Sequence, residues 1–438
     1  MHSPDTQQLL PSENTGQKRA LWSWALYDAG NSAFATIVIA GFFPVCFKTL
    51  WSGGADAALT TARLGLANTI AACVLVLIAP VLGAFADAAH TRKTMLGIFT
   101  LIGIAASAGL ALVPHGSWAA AAAVYIAGLV GFSGGMVFYD ALLPGLAPRH
   151  LLDRISALGY ALGYISGGVL LGGCVLLTLN PQRFSLSSET AVRTVFVLTA
   201  LWWLIFALPL FLNVPEPCSA PSQRIGPGIK QGLRELAATI RAVRAHRQIW
   251  LFLLAYWCYI DGVDTVIRMA VDYGMALGFS SADLIIALLI TQFIGFPCAL
   301  VFGRLGTHWG TKNALLLAIG AYCVIVLWGM RMQNVREFFA LAALVGVFQG
   351  GIQSLSRSFY ARIIPEKQPG QFFGFFNMVG KWATILGPAL MGFVTLATGS
   401  HRIGIASLMV FFFAGALLLI KVKPLSDGSD GTDGYSLP

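Results

Sequence analysis

The chain has 438 residues, 57% of them hydrophobic and only 11% charged, with a mean hydropathy of +0.74, whereas soluble domains carry about 25% charged residues. These proportions exclude a soluble globular enzyme, and the abundance of Phe, Trp, Leu, Ile and Val excludes a disordered chain. The net charge of +9 does not signal a nucleic-acid partner, because the cations fall mainly in alternate connections between apolar runs, the positive-inside bias of a protein embedded in a lipid bilayer.

Residues 1–21 form a polar tail that runs directly into an apolar segment with no small-residue cleavage site, so no removable signal peptide is expected. Twelve apolar runs of bilayer-spanning length follow, at about 22–48, 62–85, 95–113, 117–140, 155–178, 192–213, 249–272, 282–303, 314–330, 337–359, 371–396 and 403–421. An even number of spans puts both termini on one side. Residues 215–248 form the longest polar stretch and carry Arg224, Lys230, Arg234, Arg241, Arg244 and Arg247, which predicts a cytoplasmic linker and cytoplasmic termini. Its part from Leu233 to His246 mixes apolar and basic residues as a helix lying on an anionic leaflet would. The expected organisation is a tail over 1–21, a six-helix bundle over 22–214, the linker over 215–248, a second six-helix bundle over 249–421 and an acidic, disordered tail over 422–438.

An internal repeat supports the division. Tyr27-Asp28-Ala29-Gly30 in the first span matches Tyr259-Ile260-Asp261-Gly262 in the seventh, and Gly134-Gly135 in the fourth matches Gly350-Gly351 in the tenth. Gly83 to Asp87, followed by Arg92 and Lys93, matches Gly303 to Thr307, followed by Lys312. Their common order predicts an all-α membrane protein of two pseudo-symmetric six-helix bundles, the architecture of transporters that rock two halves around a central site.

The stretch Gly83, Asp87, Arg92, Lys93 resembles the loop signature of the major facilitator superfamily. More narrowly, Trp24 to Asp28 with Asn31 to Thr36, Asp153 to Tyr160, Gly350 to Arg357, and Gly380-Lys381 with Gly387-Pro388 resemble its vacuole-effluxer-like branch, which holds fungal autophagy-related vacuolar amino-acid effluxers and bacterial relatives. The resemblance covers roughly residues 20–421. It implies a secondary transporter whose helices one, four, seven and ten line the central path, and the compact loops resemble bacterial members, implying the cytoplasmic (inner) membrane. Ala88, His90 and Thr307 depart from the signature, and Thr307 in place of an acid implies a weaker latch in the C-terminal half.

Ionisable residues inside spans are expensive and therefore functional candidates. Asp261, Asp264, Arg268 and Asp272 share one face of the seventh span, with Asp264 and Arg268 spaced to pair with each other. Tyr27, Asp28 and Asn31 lie in the first span, Gln349, Gln353 and Arg357 step along the tenth, and Asn377, Lys381 and Thr384 along the eleventh. The candidate substrate-binding or proton-coupling set is Tyr27, Asp28, Asn31, Asp261, Asp264, Arg268, Gln349, Gln353 and Lys381. Asp28 leads as the proton-responsive group, because burial penalises a carboxylate charge unless a cation compensates it. Lys381 and Asp261 fall at similar depth, so Lys381 with Asp261 or Asp264 supplies a base and an acid for the two ends of an amino acid. A mutual Lys381–Asp261 pair is the rival reading. The conformational latch is assigned to Gly83, Asp87, Arg92 and Lys93, because an Asp at a helix end accepts bonds from a neighbouring helix N-terminus and pairs with loop cations. Asp140 and Arg357, near the inner ends of their spans, suit gating, snorkelling or substrate contact alike.

Other patterns carry no chemistry. Gly131-Phe132-Ser133-Gly134-Gly135 has the spacing of a nucleophile elbow but sits within an apolar helix, and Trp382 follows Lys381 where a phosphate-binding loop needs Ser or Thr. Seven cysteines form no paired motif, so neither a disulfide framework nor a zinc site is indicated, and no cofactor is expected. Gly159, Gly163, Gly167, Gly168 and Gly172 read as close-packing faces. Tyr160 and Tyr164 read as packing. The expected function is secondary active, proton-linked transport of a small polar organic solute, with amino-acid export leading, by a monomeric, non-enzymatic protein whose partners are the bilayer, a small-molecule substrate and protons. Export of lipid, sugar or drug-like solutes, or a receptor role, is the alternative.

Overall fold

The computed structural model describes residues 15–54, 57–216, 240–241, 243–276, 278–365 and 368–423. Twelve helices in it are long and apolar enough to cross a membrane: α1 (Thr15–Trp51), α2 (Ala62–Asp87), α3 (Arg92–Leu110), α4 (Trp118–Leu146), α5 (Arg149–Leu179), α6 (Ser188–Asn213), α7 (Arg247–Ala270), α8 (Asp283–Trp309), α9 (Thr311–Arg331), α10 (Val335–Ile363), α11 (Pro369–Thr398) and α12 (His401–Lys421). Most run past the apolar stretch that reveals them, because the backbone ladder continues into the polar turns at either end. Residues 1–14, most of the expected surface helix over 233–246 and the acidic tail from residue 424 lie outside the described residues, as do the side chains of Asp272 and Thr384.

Local chemistry sets several helix starts. Ser187 Oγ accepts the Thr190 amide before α6, Asn334 Oδ1 accepts the Glu337 amide before α10, and Ser280 with Asp283 forms a reciprocal capping box before α8. The second part of α1 is unusual. Wide π-helical turns at Phe34–Phe42 and Phe47–Trp51 flank a short α segment, Phe43–Cys46. Pro44 at that junction has no N–H to donate one turn back, which removes a rung of the α ladder and favours the wider register.

The packing repeats after six helices. α1 packs on α5 and α6 and α3 on α4; correspondingly α7 packs on α11 and α12 and α9 on α10. The halves meet where α2 lies along α11 and α5 along α8, two contacts that a twofold axis exchanges. Close approach there needs glycine: a Cβ on Gly83 would enter the backbone of Gly370 across the α2–α11 contact. Within the first half, Trp24 stacks on Tyr139 with centroids 4.4 Å apart and donates its indole N–H to the Tyr139 carbonyl at 3.0 Å. In the second half, Tyr256 stacks on Phe376 at 4.2 Å and Phe252 on Phe359 at 4.8 Å. Leu101, Leu212, Phe393, Leu396 and Val410 are exposed at the outer surface, an apolar exterior that only a lipid environment leaves without penalty.

Candidate functional site

A charged node lies on the boundary between the halves. Arg357 of α10 is 1% exposed. Its Nε donates to Ser156 Oγ and its Nη2 to the Ser156 carbonyl, both at 2.9 Å, on α5. Nη1 faces two carboxylates of the first half, Asp140 of α4 at 3.2 Å and Asp28 of α1 at 3.5 Å. The guanidinium also lies over the rings of Tyr160, Trp24 and Tyr139, at 4.4, 4.9 and 5.3 Å from their centroids, where the ring faces add cation attraction in a dry setting. Asn377 of α11 donates to the other Asp140 oxygen at 3.3 Å, and Ser156 Oγ donates to the Ser354 carbonyl at 2.7 Å. One fixed cation from the second half thus serves two buried acids from the first.

Two polar contacts join the halves on the side where α1 begins and α12 ends, the first at the residues expected to form the latch. Asp87, at the end of α2, pairs with Arg92 at 2.6 Å and accepts the backbone N–H groups of Gly370 and Gln371 at 3.0 and 2.8 Å. Those amides are the unpaired donors of the α11 N-terminus, to which a carboxylate is complementary. Lys93 secures the loop from behind, its Nζ donating to the Val214 carbonyl at 2.6 Å and its backbone N–H to Glu216 at 2.8 Å. The second contact again takes its acid from the first half and its donors from the second. Asp153, fully buried at the start of α5, accepts from Arg362 of α10 and Thr311 of α9, both at 2.8 Å, and from Ser358. Thr307 therefore does not leave this contact without an acid: the acid comes from α5 and the cation from α10.

Deeper in the second half, Asp261 of α7 accepts the Gly387 amide of α11 at 2.9 Å. Asp264, half-buried one turn on, feels the cations Arg268 and Lys381, and Arg268 is exposed. A cavity of about 270 Å³ opens among α7, α8, α9, α10 and α12, with α1 at its edge. Among the described residues its polar lining is Thr36, Thr291, Gln292, Gln349 and Tyr273, with no charged side chain. Gln292 donates to Thr36 at 2.8 Å across the halves.

The structure thus distributes the residues singled out from the sequence. Asp28 enters the node, but Tyr27 shares a hydrogen bond with Thr100 at 2.8 Å and Asn31 donates to the Met136 sulfur at 2.8 Å, both inside the first half. Gln349 lines the cavity, whereas Gln353 is half-buried further along α10. Lys381 lies beside Ser133 and Asn377 at the α2–α4–α11 junction. Gly83, Asp87, Arg92 and Lys93 meet at the α2–α11 contact. The contributions of Ser156, Tyr160, Asp153 and Arg362 were not legible; the sequence marks each as a residue within a helix end or an aromatic face, and only the contact between halves gives it a partner.

The model of the vacuole effluxer Atg22-like family matches residues 16–426. The chain belongs to that family. It is 35% identical over 404 residues to the uncharacterized MFS-type transporter YxiO of Bacillus subtilis (strain 168), covering 91% of this chain and 94% of that protein. It is also 26% identical over 303 residues to autophagy-related protein 22 of Coccidioides immitis (strain RS), where the match covers 63% of this chain and 50% of the longer fungal protein. Among solved structures, the human organic anion transporter MFSD10 superposes with a TM-score of 0.75 at 16% identity, over 93% of this chain and 100% of that one. The proton:xylose symporter XylE superposes at 0.66 with 15% identity, over 93% and 95%. These two establish the major facilitator fold. The Atg22-like chain is therefore an integral, multi-pass membrane transporter.

Proposed function

We propose that this Atg22-like chain is a secondary active, proton-linked transporter that exports a small polar organic solute, with amino acids as the leading class, across a bacterial cytoplasmic membrane. The observation that carries the reading is the shared guanidinium of Arg357. With Asp28 and Asp140 both ionised, the node has one positive and two negative charges in a place where an uncompensated charge costs several kcal/mol. One proton brings it to neutrality. Because the cation and the acids belong to opposite halves, rocking that withdraws α10 from α1 and α4 dissolves the node, so proton occupancy and the position of the halves bias each other.

The solute would meet Lys381 with its carboxylate and Asp264 with its ammonium, with Gln349 and Gln353 orienting it; the mutual proximity of Lys381 and Asp264 supports this arrangement. The family description as an effluxer supports export, and the resemblance to vacuolar amino-acid effluxers makes amino acids the first class to test. The cation-rich linker supports cytoplasmic termini, and the presence of both halves in one chain supports a monomer as the working unit. The full-length bacterial relative supports the bacterial membrane. A second reading, export of an amphipathic solute, is favoured by the mostly apolar wall that the described residues give the cavity.

Proteoliposomes loaded with radiolabelled amino acids provide the test. Efflux should accelerate when a pH gradient is imposed, and Asp28→Asn should abolish that acceleration. Gradient-independent efflux in the parent protein, or an intact pH response in Asp28→Asn, would overturn the proton-linked reading. Inhibition by apolar compounds in place of amino acids would favour the second reading.

A further inference from the structure

The repeat that relates the halves also relates two buried acids, but their surroundings differ in one respect. In the first half, Asp28 and Ser32 lie one turn apart on α1 and face the glycine stripe of α5: a Cβ at Gly159 would meet Asp28 Oδ2 at 2.9 Å, and one at Gly163 would meet Ser32 Oγ at 2.5 Å. In the second half, Asp261 and Thr265 lie one turn apart on α7 and face Gly387 of α11, where a Cβ would meet Asp261 Oδ1 at 2.7 Å and also Thr265 Oγ1. The arrangement is the same: an acid, a hydroxyl four residues on, and a glycine on the facing helix. The first copy has Arg357, delivered from α10 of the opposite half. Aligning Gly350-Gly351 with Gly134-Gly135 puts Ala141 of α4 where the second copy would need its arginine, and Ala141 is buried.

Among the described residues no cation is ion-paired with the second copy, and this leaves its mark. Asp261 is 1% exposed and Thr265 fully buried, and among the described residues neither Asp261 Oδ2 nor Thr265 Oγ1 has a hydrogen-bond partner. The Gly387 backbone N–H donates to the carboxyl, and the Thr265 hydroxyl lies beside it. Other titratable groups around it are Cys258 on the preceding turn and Asp264 and Arg268 on the following ones, with Lys381 of α11 acting on Asp264. From α12 the neighbouring turn meets Phe412, and from α10 it meets Ser356 bonded to Tyr259. A hard cation such as calcium takes about six to eight oxygen ligands, whereas the pocket converges two unpartnered oxygens.

We propose that the Asp261–Thr265–Gly387 pocket is a second proton-binding site, in the C-terminal half, that fills and empties separately from the Asp28–Asp140–Arg357 node. A neutral carboxyl removes the uncompensated charge, and its O–H gives the pocket a donor beside the Thr265 hydroxyl. Each half then carries its own protonatable acid, one ion-paired with an arginine from the opposite half and one with Arg268 nearby on its own helix but no ion pair among the described residues. The proposal rests on the transport reading above, which assigns the first acid site.

Infrared difference spectroscopy of the purified transporter across a pH titration tests it without knowledge of the solute, because protonated buried carboxyls give separate C=O stretching bands. Asp261→Asn should remove one band that Asp28→Asn and Asp140→Asn retain, and Thr265→Val should shift that band without removing it. If Asp261→Asn leaves every protonated-carboxyl band of the parent in place, the site is overturned. Loss of the band on adding sodium ions at constant pH would also overturn it, in favour of an alkali-cation site. Failure of the proton-linked reading itself would appear instead as a titration lacking the bands removed by Asp28→Asn and Asp140→Asn. The Thr265→Val variant guards against misfolding as the cause, since it keeps the carboxyl and should keep the band.

Discussion

Replacing Arg357 by Met should be among the most damaging single changes in the chain, for reasons that can be worked from its contacts. The substitution keeps much of the side-chain volume but removes two bonds to Ser156 at 2.9 Å and the facing cation of Asp140 and Asp28 at 3.2 and 3.5 Å. It strands two carboxylates that are each 3% exposed. Breaking a buried ion pair from one side costs about 3–5 kcal/mol, a change of about 10²- to 10⁴-fold in the unfolding constant. Removing all the charges together is different, since the cost of keeping ions away from water disappears with them. The triple variant Arg357→Met with Asp28→Asn and Asp140→Asn should therefore regain most of the lost stability while remaining unable to couple protons. Reversible unfolding of parent, single and triple variants in mixed micelles measures both effects. A single variant within about 1 kcal/mol of the parent, or a triple variant no more stable than the single, would refute the view that an electrostatic node joins the halves.

Asp87→Asn exchanges charge-assisted bonds to Arg92, Gly370 and Gln371 for neutral ones, a loss of about 1–2 kcal/mol that shifts the latched population about 5- to 30-fold. Transport should fall more than solute binding, and equal transport by variant and parent would count against the latch. Gly131→Ala places a Cβ 2.5 Å from the Gly103 nitrogen and 2.8 Å from the Phe99 carbonyl, so it should destabilise by about 1–3 kcal/mol. Gly172→Ala meets nothing within 4 Å and should be neutral or stabilising by up to about 1 kcal/mol; thermal unfolding of the two variants decides whether these glycines differ as their surroundings imply. A cysteine introduced at Ser222 should react with impermeant thiol reagent only from the cytoplasmic face, and labelling from outside would reverse the assigned sidedness.

The sequence by itself determined the twelve spans and their two sets of six, because a bilayer requires an unbroken apolar run of known length and a repeat of glycines, acids and cations survives as a pattern in one dimension. It also marked Asp87 as a helix-end acid with cations close by, since a carboxylate at a helix end with cations a few residues on is a local arrangement. The pairing of the ionisable residues was decided only in three dimensions. Arg357 lies 329 positions from Asp28 and 217 from Asp140, and no spacing rule connects residues on helices that meet only when the halves close. The same limit applies to Asp153 and Arg362: the absence of an acid at Thr307 is visible in the repeat, but its replacement by an acid on the opposite helix is not. Lys381 and Asp261 share a depth along their helices, a quantity that counting supplies. Which faces those helices present to one another is set by Gly387 and by the close α7–α11 contact, and that rotation directs Asp261 to a backbone amide while Lys381 comes near Asp264.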